Sequence, residues 1–152
     1  MQNKDQNNNQ ESAEITGSRS ASNGMKTVFE KIIDGEIPAT KVYEDDKFLA
    51  FLDINPVYHG HTLLIPKIKY TWMQEAPDEL LGDIFVMAKK IMLAIKAGLG
   101  VDFVQIGVVG TDVPYFHVHL IPRCLGNETA ENTPYTDPDQ MTEYAQKIKA
   151  FI

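Results

Sequence analysis

Tyr115, His117 and His119 alternate with Phe116, Val118 and Leu120 in the stretch PYFHVHLIPR, residues 114–123. In an extended chain successive side chains point to opposite faces, so the phenol and both imidazoles share one face and the apolar side chains the other. The Cα atoms of His117 and His119 would then lie about 6.5–7 Å apart, near enough for both rings to converge on one bound atom. Three readings of the pair stand side by side. The plainest is two histidines satisfied by the surface or core of a strand. The second is a divalent cation site, since neutral imidazole is a common metal ligand; it needs a third ligand, for which Asp112, Asp53, His59 and His61 are candidates. The third is nucleophilic attack by imidazole on phosphorus or an acyl carbon. That chemistry needs an acceptor for the distal N–H, a proton route to the leaving group and donors around the phosphoryl oxygens. Gly110, in the loop leading into the strand, lets backbone N–H groups approach a phosphate closely.

The elements that must position these residues follow from periodicity. Apolar residues at 28, 29, 32 and 33 predict a short amphipathic helix over 28–34, ended by Gly35. Residues 41–44 and 47–52 flank Asp45-Asp46 and read as two strands of a hairpin. Residues 62–65 form a buried-strand candidate stopped by Pro66. From Pro77 through Leu80, Leu81, Ile84, Phe85, Ala88, Ile91, Met92 and Ile95 the spacing is helical, with Gly98 and Gly100 as its end, and its apolar stripe reads as core. Residues 103–109 and 115–121 are two further strands, and 136–152 holds a second helix whose start suits Pro138. Strands adjacent in sequence and joined by hairpins predict an α+β fold, about five antiparallel strands with the helices on one side.

Bulk composition bounds the function only loosely. Of 152 residues, 43% are hydrophobic and 23% charged, the ordinary balance of a soluble globular domain. Residues 1–24 are Asn-, Gln- and Ser-rich and read as a disordered leader or a cloning remnant, which leaves residues 25–152 as one domain. A net charge of −7 without a Lys/Arg run disfavours nucleic acid, though a single phosphate needs no net positive charge. No stretch of 18 apolar residues indicates a membrane span. The single cysteine, Cys124, excludes an internal disulfide and a Cys-x-x-Cys metal knuckle, and a reducing, cytoplasmic setting is expected.

The segment HVHLIPR, 117–123, resembles the second half of the histidine triad (HIT) signature, His-φ-His-φ-His-φ-φ with φ apolar. FEKIIDGEIPATKVYEDDKFLAFLDINPVYHGHTLLIPK, residues 29–67, is similar to that family's N-terminal block almost throughout. The resemblance implies a HIT-like α+β domain that cleaves purine-nucleotide conjugates at the α-phosphate through a covalent nucleotidyl-histidine, without cofactor or metal, as a homodimer. By the same resemblance His117 is the nucleophile, His119 holds the α-phosphate and His61, rather than His59, supports them. Asp53 would take the ribose, and Phe29, Ile32, Phe51 and Ile54 the base. Gly110 and Thr111 would also belong to the nucleotide site.

Three departures from the family pattern matter. Tyr115 stands where the first histidine is expected, so the polar row lacks one group that titrates near neutrality, and reduced activity or a catalytically weakened nucleotide-binding module is the alternative. Asp112 stands where many relatives have a serine; it would repel a phosphate or act as an acid toward an amine or alkoxide leaving group. Thr27 and Glu30 occupy the positions of a Cys-x-x-Cys pair that binds zinc in bacterial relatives, so that site is not expected here.

Overall fold

The structure, a computed structural model, describes residues 24–128 and 132–152. The expected leader thus lies outside the described residues apart from Gly24.

Helix α1 (Val28–Ile33) is short because both ends are capped: Gly35 takes the left-handed conformation at φ +75° and the Glu36 N–H donates to the Lys31 carbonyl at 2.8 Å, as the expected stop at Gly35 requires. The Glu30 N–H donates to the Thr27 hydroxyl at 3.2 Å and the Thr27 N–H to the Glu30 carboxylate at 2.7 Å, a reciprocal cap. Thr27 and Glu30 therefore serve to cap this helix. Strands β1 (Lys41–Glu44), β2 (Phe48–Leu52) and β3 (Thr62–Pro66) form an antiparallel meander. After a 3₁₀ turn at Met73–Glu75, helix α2 (Asp78–Leu99) leads to β4 (Phe103–Gly107), β5 (Val118–Arg123) and helix α3 (Pro138–Lys149). The five strands lie in the order β1-β2-β3-β5-β4, each antiparallel to its neighbour.

The helices do not all lie on one side. Phe48, Ala50 and Leu52 of β2, Leu64 of β3 and Val118 and Leu120 of β5 pack with Ile84, Ile91 and Ile95 of α2 and Ile148 of α3. The alternate residues Leu49, Phe51, Leu63 and Ile65 pack instead with Phe29 and Ile32 of α1. Every residue of β2 and β3 is buried, as a strand covered on both faces requires. This second face matters most for function, because period-two alternation places His117 and His119 on it, opposite Val118 and Leu120.

Two local differences from the sequence expectation have clear causes. Helix α2 runs through Gly98 and is capped by Gly100, which takes the left-handed conformation at φ +66°. Gly98 serves packing instead: a Cβ there would lie 2.3 Å from the Lys147 carbonyl oxygen, so its absence lets α3 approach α2. Strand β4 ends at Gly107 rather than 109, and β5 is shifted from 115–121 to Val118–Arg123, its start moved because the Tyr115 N–H donates to the Val113 carbonyl and the Phe116 N–H to the Tyr70 carbonyl. Those donors are thereby lost to the β4–β5 ladder, and β5 starts only at Val118.

Candidate active site

Strand ends bring the site together. His119 lies on β5 opposite Leu63 and Gly107, His117 just before β5, Asp53 just after β2 and His61 just before β3. A main-chain bond from the Asp53 N–H to the His61 carbonyl, 2.9 Å, ties the last two together. α1 closes the other wall, with Phe29 edge-on to the His117 ring at 5.1 Å between centroids. The result is a cleft of about 280 Å³ lined by apolar side chains and by Asp53, Asp112, His117 and His119.

The hydrogen bonds assign the protons. His117 Nδ1 lies 2.6 Å from the Tyr115 carbonyl, which only accepts, so Nδ1 carries the hydrogen, and in the neutral form of the ring the lone pair is on Nε2. His61 Nδ1 accepts the Val57 N–H at 3.1 Å, so its proton is on Nε2, which donates to His119 Nδ1 at 2.9 Å. In its neutral form His119 must then carry its proton on Nε2. That atom is buried and has no hydrogen-bond partner among the described residues. It is a fixed donor, and the His117 and His119 rings lie 4.7 Å apart at their centroids.

Burial keeps the relay neutral. It pushes His61 down to about 3, helped by the proximity of His119, Arg123 and His117, which disfavours a further positive charge. Burial also lowers His119, with His117 adding and Asp112 opposing. Asp53, whose carboxylate is 3.8 Å from His61 Nε2, is raised by burial, an effect that the Asn55 N–H and His117 restrain and Asp112 reinforces.

Among the described residues two donor sets are close enough for a cation, Asp53-His61-His119 and Asp112-His117-His119, each with its ligand atoms within 4.8 Å of one another. Both depend on His119, whose Nδ1 lone pair is engaged by His61 and whose Nε2 bears the proton. A metal would need a free imidazole lone pair there, so the relay suits an anion's oxygen better than a cation.

Phe29, Ile32, Phe51, Asp53, Ile54, Asp112, His117 and His119 thus share one cleft, with His61 behind His119. Tyr115 does not line it. The phenol is fully buried under α1, donates to the Pro66 carbonyl at 2.5 Å and meets the Phe29 ring at 5.8 Å; burial raises its pKa. The contribution of Tyr115 to the histidines is its main-chain carbonyl. Gly110, at φ +82°, packs against Trp72, and the Thr111 hydroxyl donates to Asp112; neither lines the cleft. His59 stacks on Tyr135 at 4.8 Å, away from the relay. Sequence reading missed Ile37, Pro38 and Ala39 in the loop after α1, Leu63 on β3 and Val113, all of which line the cleft. The helix end at Gly35 marked where that loop begins, but a helix end does not say which wall the loop forms.

A family profile described as the HIT domain matches residues 34–125. The chain belongs to the HIT family. An uncharacterized HIT-like protein of Methanocaldococcus jannaschii is 46% identical over 105 residues, 66% of this chain and 81% of that one. A Candida albicans protein named adenosine 5′-monophosphoramidase is 33% identical over 134 residues, 80% of this chain and 88% of its own. The crystal structure of a Hit-like protein from Bartonella henselae superposes with a TM-score of 0.74 at 33% identity, covering 84% of this chain and 97% of that one. The five-stranded antiparallel α+β architecture is thus that of the HIT fold. Among the described residues of this HIT protein no helix is long and apolar enough to cross a membrane.

Proposed function

We propose that this HIT protein hydrolyses purine nucleoside 5′-phosphoramidates and related nucleotide conjugates through a covalent nucleotidyl-histidine on His117. The observation that carries this reading is the pairing of proton positions: Nδ1–H of His117 held by a carbonyl, its Nε2 lone pair beside the Nε2–H of His119, in a cleft shared with Asp53. The His117 lone pair forms the bond to the α-phosphorus while the P–N bond of the substrate breaks. The electron pair leaves on nitrogen, which takes a proton from solvent and departs as an amine. Water then attacks phosphorus, loses a proton to solvent, and returns the electron pair to His117 Nε2, giving the nucleoside monophosphate. His119 Nε2–H donates to a phosphoryl oxygen in both steps, and the relay from Val57 through His61 keeps it a donor throughout. Asp53 accepts from the ribose hydroxyls, and the base lies among Phe29, Ile32, Phe51 and Ile54.

The place of Tyr115 favours an active enzyme over a weakened binding module, because its contribution to His117 is a main-chain carbonyl that any residue would supply. Family likeness also supports a homodimer, and β4 leaves an edge strand with Ile106 exposed for a second copy to cover. The activity of the Candida relative by name supports an adenosine substrate. Steady AMP release from an adenosine phosphoramidate, undiminished by a chelator, is the expected result. AMP binding without any release would instead mark a binding module, and loss of release on chelation would mark a metal hydrolase.

A further inference from the structure

The cleft presents two carboxylates and, among the described residues that line it, no lysine or arginine. Asp53 is accounted for by the ribose. Asp112 is not. One of its carboxylate oxygens, one ring nitrogen of His117 and one of His119 all lie within 4.8 Å of one another, so the carboxylate stands where phosphorus and leaving group would meet. It is exposed on the cleft's rim, and its side-chain partner is the Thr111 hydroxyl at 3.2 Å. Its charge is felt across the site, raising the proton affinity of both Asp53 and His119.

We propose that Asp112 selects the leaving group by charge, favouring amines that carry or acquire positive charge and rejecting anions such as sulfate or phosphate; this rests on His117 being the nucleophile. When a P–N bond breaks, the nitrogen keeps the electron pair, takes a proton from solvent and becomes an amine or ammonium whose N–H donates to the carboxylate. When a P–O bond to sulfate or phosphate breaks, the departing oxyanion gathers negative charge beside Asp112, with no lining cation to receive it. The same carboxylate therefore helps one departure and hinders the other. Many conjugates share the nucleotide half of the substrate, so discrimination must lie on this side of phosphorus.

The test compares kcat/KM for AMP joined through a P–N bond to an aliphatic diamine with kcat/KM for adenylyl sulfate. In Asp112→Asn the ratio favouring the diamine conjugate is expected to fall by about 10- to 100-fold, the size of one partly screened charge interaction that changes sign between the two leaving groups. The amide keeps the shape and an acceptor oxygen while removing the charge, so intrinsic leaving-group reactivity cancels in the comparison of ratios. An unchanged ratio overturns the proposal. Dissociation constants for two uncleavable AMP esters, one with an aminoethyl and one with a sulfoethyl arm, read the same preference without chemistry. If the protein cleaves neither substrate, the hydrolase reading fails, while equal preference for the two esters in the parent and in Asp112→Asn overturns the charge selection itself.

Discussion

Replacing His117 with alanine is expected to lower kcat/KM for an adenosine phosphoramidate by at least about 10⁴-fold, corresponding to about 5.5 kcal/mol of lost transition-state stabilisation. The reason is the uniqueness of its lone pair. His119 is locked as a donor by His61, and Asp53 and Asp112 are far weaker nucleophiles toward phosphorus, so no neighbouring group can take over the covalent step. Because the His117 ring is buried and packs on Phe29, the alanine variant also loses stability, and its unfolding midpoint must be measured beside its activity. His117→Asn, which retains more of the side chain, should be equally inactive but better folded. Both variants should still bind AMP, through Asp53 and the apolar wall, within about tenfold of the parent, since the missing nitrogen acts mainly in the transition state. A folded His117→Asn protein retaining a tenth of the parent activity would contradict this role.

Acid should unfold the protein through His61. Its imidazole is held near 3 when folded and returns to about 6.5 when unfolded, so between those values the unfolded chain binds the proton that the folded chain refuses. The stabilisation is therefore complete above about pH 6.5 and is lost as pH falls toward 3, at about 1.4 kcal/mol per unit and about 4–5 kcal/mol in all. His119, also lowered, adds to the loss in the same direction. Asp53, raised by burial, acts oppositely: it favours the folded state at low pH and loses that contribution as pH rises through its folded pKa. His61→Gln isolates the larger effect, because a carboxamide nitrogen can donate to His119 Nδ1 as the imidazole does, yet does not titrate. Urea unfolding from about pH 4 to 6 is expected to show a slope shallower by about 1.4 kcal/mol per pH unit in the variant. Equal slopes would show that His61 is not the buried neutral ring the relay requires.

The parts of the site that the sequence revealed are those whose spacing is set by a single element. His117 and His119 are two residues apart in one extended stretch, whereas Asp53 and His61 take their roles from the resemblance to the family's N-terminal block. Less visible were features made by contact between distant segments. Continuous apolar runs in β2 and β3 imply burial on both faces, but nothing in them says that α1 rather than α3 covers the face bearing the histidines. Tyr115 illustrates the same limit: alternation extends the strand back to it, whereas bonds to Val113 and Tyr70 take the chain out of the ladder and the phenol goes under α1. Gly98 and Gly100 look alike as letters, yet one is a packing contact with α3 and the other a left-handed cap. The acceptor that fixes His117, a main-chain oxygen, has no letter of its own.

The stereochemical course at phosphorus tests the covalent role of His117 most directly. A substrate with one α-phosphoryl oxygen replaced by sulfur, chiral at phosphorus and hydrolysed in isotopically labelled water, should give product with overall retention, the sum of two in-line inversions through a nucleotidyl-histidine. Net inversion would mean that water attacks phosphorus in a single step and that His117 forms no bond to it.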